Sequence, residues 1–146
     1  MTEPTSINPL IPDTGKMQYT LAIYGAPYST QACQTAFNFS CAALNRGHTI
    51  YRVFFYQDAV HTASSLAVPP QDEIHLYRQW QQLASHYDID MVVCISAALR
   101  RGMLDKAESE RYEKGHSNLA DGFSLSGLGQ LVDGAIQSDR FITFGG

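Results

Sequence analysis

Nowhere in this 146-residue chain do eighteen apolar residues follow one another, so no membrane-spanning helix is expected. Charge is also scarce. Charged residues make up 16% of the chain against 45% hydrophobic, which excludes a chain held unfolded by its own charge. A basic surplus is missing. Ten Lys and Arg face fourteen Asp and Glu, a formal charge of -4, and nucleic-acid binding wants the opposite balance. Neither direct nucleic-acid binding nor membrane association is expected. Cysteine is sparse and odd in number: Cys33, Cys41 and Cys94, with no CxxC pair. That argues against a disulfide framework and against a zinc site.

Several familiar catalytic patterns are absent as well. The chain has no GxxxxGK[ST] loop, and its five histidines show no HxxxH or HExxH spacing. Gly127-Leu-Gly129 lacks a third glycine and lies too near the end for a ribose-binding acid to follow a further strand. Gly122-Phe-Ser124-Leu-Ser126 misses GxSxG at its last position. No cofactor and no metal are therefore expected. Met1 to Lys16 carries Pro4, Pro9 and Pro12 with Glu3 and Asp13, and has neither an apolar nor a basic leader region. It reads as a disordered tail rather than a signal peptide. The expectation is one folded domain over residues 17–146, in the cytoplasm, with reduced cysteines.

What is present alternates between strand and helix periods. Tyr19 to Tyr24 reads as a buried strand ended by Gly25-Ala-Pro27. Ser29 or Thr30 can cap a helix from Gln31 to about Arg46, with Gly47 as its stop. Thr49 to Tyr56 is a second strand, followed by a long loop with Asp58, His61 and Pro69-Pro70. Asp72 to Tyr87 is a second helix, and Asp90 to Ile95 a short apolar strand of the kind covered on both faces. A helical turn over Ser96 to Arg101, a charged helical stretch from Asp105 to Lys114, a short extended piece at Phe123 to Ser126, a helix over Gly127 to Gln137 and a last strand at Arg140 to Phe144 complete the chain. Strands separated by helices of this length give a three-layer α/β/α sandwich with a mostly parallel sheet of four to five strands, flavodoxin/Rossmann-like in shape.

The functional crevice of such a sheet lies beyond the carboxyl ends of its strands. Those ends fall near Gly25–Thr30, Tyr56–His61, Cys94–Ala98 and Gly145-Gly146. Cys94 is the reactive side chain placed late in a central strand, directly before a helical turn, with Arg100 and Arg101 within two turns. A helix N-terminus and guanidinium groups both favour a thiolate. The alternative is an inert buried cysteine, and position alone leaves both open. Cys33 and Cys41 are eight residues, or roughly 12 Å, apart on one core-facing helix, which suits packing rather than chemistry. Tyr28, Thr30 and His61 sit on loops at the same sheet edge and could line the site. The aromatics Tyr51, Phe54, Phe55 and Tyr56, with Tyr24, Tyr28, Tyr77 and Trp80, fit either a strand covered on both faces or a surface covered by a partner subunit.

Read together, Val53-Phe-Phe-Tyr56 with Asp58 and Val60, Pro69-Pro-Gln-Asp72, Trp80, Val93-Cys94-Ile-Ser-Ala-Ala-Leu-Arg-Arg-Gly102, Asn118-Leu119 and Leu125-Ser-Gly-Leu-Gly-Gln-Leu131 resemble the DsrE/TusD family of sulfurtransferase subunits. The resemblance runs from Met17 to Gly145 and implies a DsrE-like fold. It aligns the family's active cysteine with Cys94, and so implies a persulfide carrier, for which the position of Arg100 and Arg101 offers thiolate-stabilising neighbours. It further implies a two-fold heterohexamer with TusB-like and TusC-like paralogous subunits, a TusA-like sulfur donor and a TusE-like acceptor. The sulfur would end in 2-thiouridine at the tRNA wobble position. Alternative roles are a DsrE-type subunit of dissimilatory sulfur oxidation and a non-catalytic assembly subunit. A nucleotide- or flavin-binding domain would need a phosphate-cradling loop after the first strand. Gly25-Ala-Pro-Tyr-Ser-Thr30 offers one glycine, and Pro27 removes an N–H donor.

Overall fold

Five short apolar runs form the strands of one sheet: β1 (Gln18–Ile23), β2 (Thr49–Phe55), β3 (Asp90–Cys94), β4 (Phe123–Ser126) and β5 (Arg140–Phe144). The computed structural model describes residues 15–146. The expected tail lies outside the described residues except for Gly15 and Lys16, which are exposed and belong to no helix or strand. The strand order is β4-β3-β2-β1-β5, and every neighbouring pair is parallel. Between the strands come α1 (Ala32–Asn45), a 3-10 segment (Gln57–Ala63), α2 (Leu76–Tyr87), α3 (Ile95–Arg100), α4 (Lys106–Arg111) and α5 (Gly129–Gln137). Among the described residues no helix is long and apolar enough to cross a membrane. No group of three or more His, Cys, Asp or Glu is placed to hold a metal ion there.

The layers follow from the two-residue period of the strands. Leu21, Ile23, Val53 and Phe55 face α1 and α2, where the fully buried Trp80 ring meets Phe37 edge-on at 5.3 Å and Phe55 at 5.6 Å. Burying one such ring contributes about 2–3 kcal/mol. Thr20, Ala22, Arg52 and Phe54 face the other way, toward α5. That helix lies close because Gly134 stands near its middle. A Cβ there would stand 2.7 Å from Thr20 Cγ2, and the Thr20 hydroxyl instead donates to the Gly134 carbonyl at 3.0 Å. Phe54, Phe55 and Trp80 are fully buried within the single chain. Phe54 and Phe55 are therefore explained by a strand covered on both faces, with Trp80 in the layer over it, and these three rings are not a partner surface, while Tyr24, Tyr51, Tyr56 and Tyr77 are half-buried and Tyr28 is exposed.

Helix ends differ from expectation in informative ways. Gly47 does stop α1, at φ 84°, with its N–H bonded to the Leu44 carbonyl. The first turn of α1 has Gln31 at the cap position with no side-chain bond, while the Thr30 hydroxyl accepts weakly from Ala32 N–H at 3.4 Å. α2 begins at Leu76 rather than Asp72, and it ends at Asp88, which takes the left-handed conformation (φ 55°) usually left to glycine.

One charged group lies inside this packing. Arg52 on β2 is 7% exposed, and its guanidinium reaches Asp90 at 2.7 Å, Asp133 at 2.9 Å and the Gln130 carbonyl at 2.8 Å. The Tyr51 hydroxyl donates to the same Asp133 oxygen at 2.9 Å. Hydrogen bonds from Tyr51 and then from Arg52 hold the Asp133 carboxyl below its usual range. A depressed carboxyl contributes stability that is present above its unfolded value, about 3.9, and is lost as pH falls through its folded value. Wild-type Tm is therefore expected to drop on acidification below about pH 4. The Asp133→Asn variant should show a smaller drop over that window. Identical acid profiles for the two proteins would show that α5 is not held this way.

Candidate functional site

Cys94 ends β3 and occupies the cap position of α3, at φ -59° and ψ 119°. Asp90, Val92 and Cys94 share one face of the strand, and the pairing of Arg52 with Asp90 and Phe54 with Val92 makes it the α5 face. The residue is 3% exposed, yet it lies at the wall of a cleft of about 420 Å³. Tyr56 and Gln57 line one side of that cleft. Ser96, Ala97, Arg100 and Arg101 of the α3 segment line another, and Gly127 and Leu128, which lead into α5, close it. Two of the four expected strand ends thus meet at the site, those of β2 and β3. The ends of β1 and β5 do not. There Gly146 sits against Thr30, where a Cβ would stand 2.8 Å from Thr30 Cβ.

The two arginines differ. Arg101 Nε donates to Asp58 at 2.8 Å, and its Nη1 donates to the Ala97 carbonyl at 3.1 Å. Its charge is thereby matched, and it ties α3 to the 3-10 segment. Arg100 is exposed, lines the cleft, and has no ion pair or hydrogen bond among the described residues. Ser96 lies one turn before it on α3, so the hydroxyl and the guanidinium share a helix face. Gln57 takes φ +50°, a left-handed conformation for a residue with a side chain. Such backbone costs of order 1 kcal/mol and recurs at functional sites. The Cys94 side chain makes no cap hydrogen bond to α3.

The other expected site residues lie elsewhere. Tyr28 receives the Leu76 N–H and donates to the Ile74 carbonyl, both at 3.2 Å, Thr30 donates to the Ala26 carbonyl, and His61 is exposed on the 3-10 segment. None of the three lines the cleft. Their loops share the sheet edge, but the side chains are spent on turns or on solvent. Cys33 is 1% exposed, receives the Trp80 indole N–H at 3.2 Å and contacts the Thr62 hydroxyl at 3.5 Å. Burial pushes its thiol up, and burial raises Cys41 as well. Cys33 is a packing residue of the core, and Cys41 is half-buried outside it. Sequence reasoning missed Gln57, Ser96 and Leu128 as cleft walls, and it missed Asp58 as the partner of Arg101. Asp58 carried the one available signal, a carboxylate one residue into the loop at the strand edge.

Known proteins resemble this chain over most of its length. The model of the DsrE/DsrF-like family matches residues 17–144. DsrE of Allochromatium vinosum is 48% identical over 129 residues, covering 88% of this chain and 99% of the relative. A sulfurtransferase TusD homolog of Pseudomonas aeruginosa is 48% identical over 130 residues, covering 89% and 98%. Sulfurtransferase TusD of Salmonella dublin is 41% identical over 128 residues, covering 88% and 100%. The crystal structure of the YchN protein from E. coli superposes with a TM-score of 0.69 at 17% identity, over 89% of this chain and all of that one, a likeness of fold. The chain therefore belongs to the DsrE/DsrF-like family, among sulfurtransferases of the DsrE and TusD kind.

Proposed function

We propose that this protein carries sulfur as a persulfide on Cys94 within a relay that serves 2-thiolation of the tRNA wobble uridine. The single observation that carries the reading is the cleft, which opens onto Cys94 and onto no other cysteine. The Cys94 thiolate attacks the terminal sulfur of a donor persulfide. The donor's S–S bond breaks, a new S–S bond forms on Cys94, and the donor leaves as a thiolate. One bond is exchanged for another with no net oxidation. Arg100 supplies an unmatched positive charge to an anionic sulfur in the empty and the loaded states, and Arg101 positions α3 through Asp58. Transfer to an acceptor thiol is the same exchange in the other direction.

A donor and an acceptor of the TusA and TusE kinds, and paralogous TusB-like and TusC-like subunits in a two-fold heterohexamer, complete this proposal. Support for the assembly comes from one side of the molecule. Leu128, Val132 and Ile136 recur every fourth residue along the outer side of α5, exposed at 48%, 57% and 74%. Phe141 of edge strand β5 is exposed on the same sheet face, as its pairing with Thr20 shows. Exposed apolar residues gathered on one side in this way support subunit contact. The DsrE relative is as similar as the Pseudomonas TusD homolog, so a role in sulfur oxidation is the second reading. Incubation with a persulfidated donor protein, followed by peptide mass spectrometry, should find one added sulfur on Cys94. Loading on Cys33 or Cys41 alone would defeat the carrier role and leave an assembly subunit. Loss of 2-thiouridine from tRNA on deletion of the gene separates the tRNA branch from sulfur oxidation.

A further inference from the structure

We infer that the Cys94 cleft also accepts sulfur directly from a small anionic sulfane compound of the thiosulfate class, an S-sulfonate whose oxyanion rests on Arg100 and Ser96. The inference depends on the carrier role of Cys94 and adds a second kind of donor to it. A residue 3% exposed is reached through the cleft, and about 420 Å³ accommodates a small anion with ease. No acidic side chain lines that cleft. Asp58 is engaged by Arg101, and the Arg100 guanidinium has no ion pair among the described residues. A guanidinium and a hydroxyl one turn apart on α3 offer several donors to one set of oxygens, the arrangement that suits a sulfonate. The opposite lip, Gly127 and Leu128, presents no competing acceptor side chain.

The chemistry closes without a further reagent. Cys94 thiolate attacks the outer, sulfane sulfur of thiosulfate. The S–S bond of thiosulfate breaks, and sulfite leaves with its electron pair. Cys94 retains the persulfide anion, and the total charge is the same on both sides. Negative charge grows on the departing sulfonate as the bond breaks, and Arg100 is the cation beside it.

The test uses the full chain with two donors in parallel, sodium thiosulfate and a persulfidated donor protein. With thiosulfate, Cys94 is expected to gain one sulfur while an equal amount of sulfite appears. In Arg100→Ala, loading from both donors slows, but the thiosulfate rate relative to the protein-donor rate should fall at least about fivefold, since a charge-assisted contact is lost. Arg100→Lys should recover part of that ratio. Loading by the protein donor with none from thiosulfate overturns this inference and leaves the carrier role intact. Failure of both donors overturns both. An unchanged ratio in Arg100→Ala, or thiosulfate loading at Cys41, removes the anion site from the cleft.

Discussion

Cys94→Ser is expected to lower sulfur loading and onward transfer by about a thousandfold or more, because a hydroxyl neither ionises at neutral pH nor forms a stable persulfide analogue. The substitution keeps the shape of the site. Cys94 is 3% exposed but borders the cleft, so a serine hydroxyl finds water there. A loss of about 1 kcal/mol or less, and a Tm within a few degrees of wild type, should follow. Cys33→Ser and Cys41→Ser are the contrasting variants. Neither side chain borders the cleft, and both proteins should load sulfur at rates close to wild type. Persulfide on Cys94→Ser at near wild-type yield, measured by intact-protein mass, would move the chemistry to another residue. A Cys94→Ser protein that loses its circular dichroism signal as well as its activity would make the cysteine a packing residue.

Much of the architecture was readable because it rests on local patterns. The runs at Asp90–Cys94 and Arg140–Phe144 announce themselves as strands by composition, and Gly47 announces a helix stop by its freedom at positive φ. The place of Cys94 in the fold was readable for a related reason, since its position late in a central strand fixes which edge of the sheet it occupies. What stayed hidden depends on contacts far apart in sequence. Arg101 looked like a second stabilising cation beside Arg100, yet its partner Asp58 lies 43 residues away, and nothing local distinguishes a matched guanidinium from an unmatched one. Tyr28, Thr30 and His61 were placed at the right edge but not in the cleft, because loop position does not specify side-chain direction. Phe54 and Phe55 of β2 admitted two explanations from sequence, and only the packing of α1, α2 and α5 on the two faces decided between them. The apolar side of α5 shows the same limit in reverse. Leu128, Val132 and Ile136 have the spacing of a core stripe, and the structure leaves them outside.

Arg52 is the position where removal of one side chain should cost the most stability in proportion to how little its sequence context reveals. It stands in an otherwise apolar strand, and its partners Asp90 and Asp133 are 38 and 81 residues away. Its guanidinium joins β2 to the start of β3 and to the middle of α5, and burial alone would lower its pKa, but its bonds to Asp90 and Asp133 more than offset that and raise it. Breaking a fully buried pair costs about 3–5 kcal/mol. Here the carboxylates of Asp90 and Asp133 are 47% and 40% exposed, so water relieves them once the arginine is gone. Arg52→Ala should therefore cost about 2–3 kcal/mol, or roughly 6–12 °C in Tm. The consequence reaches the cleft, because Gly127 and Leu128 lead into the helix that Arg52 holds. Alkylation of Cys94 by a neutral reagent should quicken in Arg52→Ala as that wall loosens, whereas Cys33, on α1 against Trp80 of α2 on the other face, should stay as slow as in wild type. A Tm change under about 2 °C would show that the network is ornamental to stability. An unchanged Cys94 rate alongside a large Tm loss would show that the wall of the cleft does not depend on the arginine that anchors α5.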